Sequence, residues 1–229
     1  LIKHGLISLL SDATRLRTAF ALLAAALATA VSAHEPLPLR VEHRASLHDL
    51  APPAATTHTL ELRAVNLGDW PEAGIDPALR TAAQILAQCG IHITRVDLLR
   101  VTAPDTHRYF DTPRSRELAR KLDLPRPAIF FAAGTRQVPA FDAEAVGRGN
   151  SRSRPELADT VWIARGARDL GIVIAHELAH VLMDSGGHDN TPGNLMAEST
   201  TPQNTQLSAA QCARITATGT QHGLLRGVD

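Results

Sequence analysis

Residues 170–196 read LGIVIAHELAHVLMDSGGHDNTPGNLM. The first half is apolar apart from His176, Glu177 and His180, and it predicts a buried helix from about Asp169 to Asp184 or Ser185. Residues four apart on an α-helix differ by about 40° in direction, so His176 and His180 face the same way. Two neutral imidazoles at that spacing can grip one Zn²⁺ at roughly 2.0–2.1 Å each. Glu177 is rotated by about 100° from His176. It is therefore expected to serve as general base toward a water the metal activates, not as a ligand. Burying two unpaired imidazoles among Ile172, Val173, Ile174, Leu178 and Leu182 would cost several kcal/mol, which disfavours a purely structural reading.

A catalytic zinc site needs a third protein ligand and one open position. Gly186-Gly187 can end the helix and turn the chain, and His188 follows at once. His188 is the expected third ligand, with Asp184, Asp189 and Glu198 as the alternatives. Cofactor and site residues are thus Zn²⁺, His176, His180 and His188, with Glu177 catalytic.

These residues resemble the zincin metallopeptidases, and more narrowly the metzincins. The resemblance rests on HELAH at His176–His180, the glycine-assisted turn to His188, and Pro192-Gly193-Asn194-Leu195-Met196. It implies a methionine-containing turn beneath the metal at Met196, and hydrolysis of peptide bonds. Three departures stand out. The metzincin pattern has Gly where this chain has Met183, and its third ligand where this chain has Gly186. No Tyr follows Met196, so a tyrosine that assists in some metzincins has no counterpart there. A branch resembling thermolysin would instead take Glu198 as third ligand.

The flanking sequence predicts the remaining architecture. His58–Val65 alternates Leu60, Leu62 and Ala64 inward, as a strand does. Asp76-Pro77 is expected to open a helix that carries Leu79, Ala82, Ala83, Leu86 and Cys89 and stops at Gly90. Ile91–Val101, Pro127–Ala133 and Asp159–Ala164 read as further strands, and Pro113–Leu122 as a short helix. Gly134–Leu157 is expected to be a long irregular loop, whose part 142–157, with Arg148, Arg152 and Arg154, either frames the cleft or is simply solvated. Asp159–Ala164 is the expected cleft edge, with Trp162 either a subsite wall or a core aromatic. A last helix runs from Ser208 to about Thr218. The order implies one α/β domain, residues 58–229, zincin-like, with a mixed β-sheet, a long active-site helix and a C-terminal helix.

Upstream, Lys3, Arg15 and Arg17 precede the uncharged run Thr18–Ala33 (TAFALLAAALATAVSA), which ends in a small-x-small pattern. Residues 1–33 are expected to be a signal peptide, and 34–57 a loose N-terminal arm that could cover the cleft in a latent form. A spanning helix needs roughly 20 apolar residues, so no stable membrane insertion is expected after cleavage. The destination is periplasmic or secreted. Cys89 and Cys212 allow only one pairing, and an oxidising compartment favours a disulfide over two buried thiols.

Composition narrows the partners. Basic and acidic residues number 23 each, and aromatics are 3% of the 229 residues. Neither a phosphate-binding basic stripe nor a base-stacking platform is available, so no nucleic-acid partner is expected. The 11 histidines point toward metal. The expected activity is zinc-dependent endopeptidase action on a peptide or protein substrate. The alternative is an exported zinc-binding recognition protein, or a degenerate metallopeptidase without proteolytic activity.

Overall fold

Parallel strands buried on both faces form the middle of the molecule. The structure, a computed structural model, describes residues 37–68 and 70–228. The expected signal peptide at 1–33 lies outside them, as does the start of the arm.

Strands β1 (Arg40–Leu50), β2 (His58–Asn66), β3 (Ile91–Thr102), β5 (Ala128–Ala132), β7 (Ala143–Val146) and β8 (Thr160–Ala164) form one sheet in the order β1-β3-β2-β5-β8-β7. The inner four run parallel, while β1 and β7 are antiparallel edges. A short β9 (Arg226–Gly227) joins β2, and β4 (Tyr109–Phe110) pairs with β6 (Gly134–Thr135) in a separate two-stranded ladder. The helices are α1 (Glu72–Leu86), α2 (Thr112–Leu122), α3 (Leu170–Met183) and α4 (Ala209–Gln221). This is the mixed α/β domain expected from the order of elements.

Strand β5 is AIFFA and β8 is TVWIA, and every residue of both is buried. Period-two alternation sends Ile129, Phe131, Val161 and Ile163 into the main core, which also receives α1 and α3. The opposite face holds Phe130 and Trp162, register partners stacked at 4.2 Å, with Phe110 edge-on to Trp162 at 5.3 Å. Trp162 is thus a core aromatic and no subsite wall. Nor is β8 the cleft edge, because β7 lies outside it.

Three further expectations are corrected. Residues 40–50 of the expected loose arm form β1, which pairs with β3 along nearly all of that strand. Its sequence, RVEHRASLHDL, sends only Leu47 and Leu50 against the main core, and the strand is held besides by its backbone ladder and by polar links such as Ser46 to Asp97 at 2.7 Å. Helix α1 starts at Glu72, and Pro77 falls in its second turn, where it forgoes one backbone bond. The earlier start follows from Asn66, whose side chain bonds both the N–H and the carbonyl of Trp70 and so sets the chain's entry. The expected loop 134–157 contains β6, β7 and two short 3₁₀ turns at Gly149–Ser151 and Pro155–Leu157.

Helix α3 is buried from Gly171 to Met183 with the single exception of Glu177. A helix apolar on all sides must be covered on all sides. Helix α1 crosses it at Gly171, where a Cβ would lie 2.5 Å from Thr81 Cβ and 2.9 Å from the Ala78 carbonyl. Helix α4 packs on it near Gly219, opposite Leu182. The first turn of α4 is closed by a capping box between Ser208 and Gln211. A disulfide joins Cys89, just after α1, to Cys212 in that turn.

Candidate metal centre

Glu177, half-buried on α3, lines a cleft of about 320 Å³. Ala143, Glu144 and Ala145 of strand β7 line it, as do Ser185, Gly186 and His188 from the segment after α3. The imidazoles of His176 and His180 lie at its floor.

Both imidazoles are oriented by carbonyl oxygens. His176 Nδ1 lies 2.7 Å from the Leu195 carbonyl, and His180 Nδ1 lies 2.6 Å from the Ser185 carbonyl. A carbonyl can only accept, so each Nδ1 carries the hydrogen and donates it. In the neutral rings each Nε2 is then a bare lone pair, and the two Nε2 atoms face each other at 2.9 Å. Two lone pairs so placed repel one another, and they favour a shared cation. Burial pulls the His176 imidazole below its ordinary value. It takes His180 down to about 4, with the neighbouring His176 adding to the effect. Both rings are therefore held in the neutral form that ligates metal.

His188 completes the group. It is exposed, its ring centroid lies 5.5 Å from that of His176 and 5.0 Å from that of His180, and one ligand atom from each of the three falls within 4.8 Å of the others. The turn that brings it back is made differently from the sequence expectation. Asp184, not Gly186-Gly187, ends α3 in the left-handed region at φ 46°, and Ser185 N–H then donates to the His180 carbonyl.

The alternatives for the third position are engaged elsewhere or stand apart. Asp184 Oδ1 accepts the Gly149 N–H at 2.6 Å, tying α3 to the segment after β7. Asp189 Oδ1 accepts from the N–H and hydroxyl of Thr191. Glu198 lines the same cleft, but it is not in the cluster formed by the three histidines. Met196 is buried in the main core, close in sequence to the Leu195 carbonyl that orients His176.

Glu177 sits where burial first, and the Glu144 charge second, push its carboxyl up to about 7. A carboxyl poised near neutrality can both take and return a proton. Glu144 is a cleft residue that the sequence reading missed. It lies on β7, bonds Arg154 at 3.0 Å, and is itself raised by burial against the pull of that arginine. Nothing local in AEAV marks it, because its role depends on β7 passing beside α3. Of the other arginines expected to frame the cleft, Arg148 pairs with buried Asp159 at 3.2 Å and Arg152 is exposed.

The residues present fit a divalent cation: three imidazoles, two of them with their remaining nitrogens fixed by carbonyls, beside one partly open carboxyl. No protein-family profile matches the chain, and no curated protein sequence matches it significantly. Among solved structures it is similar to archaemetzincin from Methanopyrus kandleri, with 12% sequence identity and a TM-score of 0.48, over 71% of this chain and 96% of that one.

Proposed function

We propose that the chain is a zinc-dependent endopeptidase in which His176, His180 and His188 hold the metal and Glu177 moves the proton. The observation that carries this reading is the pair of buried Nε2 atoms facing each other at 2.9 Å with a third imidazole beside them. Bound zinc would supply Lewis acidity, making a water acidic near neutral pH and polarising a carbonyl. Glu177 takes the proton of the attacking water and returns it to the leaving amine. Strand β7 binds the substrate: it pairs with β8 on one side, and an extended peptide adds along its other side by backbone hydrogen bonds. An edge that takes extended backbone suits cleavage within a chain. The recognition-protein alternative gives no reason for a raised carboxyl beside the imidazoles.

Export belongs to the same proposal. The Cys89–Cys212 disulfide supports an oxidising compartment. Among the described residues no helix is long and apolar enough to cross a membrane.

The test compares His188→Ala with Glu198→Ala by chelator competition for zinc, alongside cleavage of unfolded casein. His188→Ala is expected to weaken zinc binding by at least about 100-fold, and Glu198→Ala by no more than a few-fold. Cleavage by the parent chain should stop on chelation and return with zinc. Loss of affinity confined to Glu198→Ala would replace His188 as third ligand. Cleavage that survives complete removal of zinc would reject the mechanism.

A further inference from the structure

The carbonyl that orients His176 belongs to a peptide plane whose other end is also held. Leu195 C=O and Met196 N–H are parts of one rigid planar unit. His176 Nδ1–H donates to the carbonyl end at 2.7 Å, and Asn194 Oδ1 accepts from the N–H end at 2.8 Å. Rotation of that plane, which would swing the carbonyl away from His176, therefore breaks the bond to Asn194.

Asn194 is in turn fixed on all its polar atoms. It is 7% exposed. Its Oδ1 also accepts from Gln211 Nε2 at 3.0 Å, and its Nδ2 donates to Gln211 Oε1 at 3.1 Å, a reciprocal amide pair. The same Nδ2 reaches Asp189 Oδ2 at 3.4 Å. Gln211 is the residue that closes the capping box of α4, and its neighbour Cys212 is joined to Cys89. The turn thus hangs from the start of a helix that is itself pinned to the fold. Asp189, adjacent to His188, donates its N–H to the Met196 carbonyl at 2.8 Å.

We propose that Asn194, backed by Gln211, is a positioning residue for His176, acting by locking the Leu195–Met196 peptide plane. This rests on the metal reading of the three histidines only for its consequence; the orientation of His176 is a property of the chain alone. His180 provides an internal control, because its Nδ1–H goes to the Ser185 carbonyl, outside this turn.

The experiment is NMR of the imidazole Nδ1–H protons in the metal-free chain, followed by zinc affinity by chelator competition. In the parent both His176 and His180 should show slowly exchanging Nδ1–H signals, as buried hydrogen-bonded protons do. Asn194→Ala is expected to lose or broaden the His176 signal, keep that of His180, and weaken zinc binding by about tenfold. Asn194→Asp keeps an acceptor for the Met196 N–H and is expected to retain the His176 signal. A His176 signal and zinc affinity unchanged in Asn194→Ala overturn the proposal. So does joint loss of both histidine signals in both variants, which would mark a general structural role. If the parent binds no zinc, the metal reading fails, while the His176 signal still decides the role of Asn194.

Discussion

Glu177→Gln is expected to bind zinc as the parent does, to melt no lower than the parent at neutral pH, and to cleave peptides about a thousandfold more slowly. The amide has the size of the carboxyl, so the surroundings of α3 need not move. It lacks the negative charge and the capacity to accept a proton. The imidazoles are held through Nδ1, His176 by the Leu195 carbonyl and His180 by the Ser185 carbonyl, so their orientation does not depend on the Glu177 charge. The position is also costly for a carboxylate, since burial raises its carboxyl to about 7. A fold maintained for stability alone gains nothing from an acid there. Steady-state cleavage of a fluorogenic peptide library, with zinc content measured on the same samples, checks the expectation. Turnover within tenfold of the parent would remove Glu177 from the proton path.

Reduction of the Cys89–Cys212 disulfide, or the double change Cys89→Ser and Cys212→Ser, is expected to cost roughly 2–5 kcal/mol of stability. The two cysteines are 123 residues apart, so the bond closes a long loop in the unfolded chain. In the native state it joins the end of α1 to the first turn of α4, and both helices pack on α3. For a domain of this size the melting temperature should fall by about 5–15 °C. Denaturant melts with and without reductant measure it. A change below about 1 kcal/mol would mean that the helices hold their places without the link.

The candidate site was more legible than its surroundings. HELAH carries its own geometry, because a helical spacing of four superposes two side chains whatever the fold around them. His188 was reachable for a similar reason, as a donor just past a helix end. Even there the agent of the turn differs from the expectation: the glycines suggest a reversal, but Asp184 takes the left-handed conformation and its carboxylate accepts from Gly149. The buried strands β5 and β8 announced themselves as short apolar runs, and Ser208 marked the start of α4 through its cap.

Edges were hard to read. Strands β1 and β7 carry little apolar alternation, because an edge strand is specified by the partner it pairs with and not by its own side chains. Missing β7 moved the expected cleft wall inward to β8, and with it Trp162 and the neglected Glu144. Helix α1 began early because Asn66 binds Trp70, a link between residues that no helix signal connects. Each of these errors concerns a contact made between elements, where local pattern has least to say.

The central claim is that three imidazoles of this chain share one zinc ion. X-ray absorption at the zinc edge, on protein loaded with one equivalent and washed free of excess, tests it most directly. The account predicts one tightly held zinc per chain, with three nitrogen neighbours at about 2.0–2.1 Å showing the outer-shell scattering of imidazole. Retention of no zinc, or a shell with fewer than three imidazoles completed by carboxylate from Glu198, would contradict it.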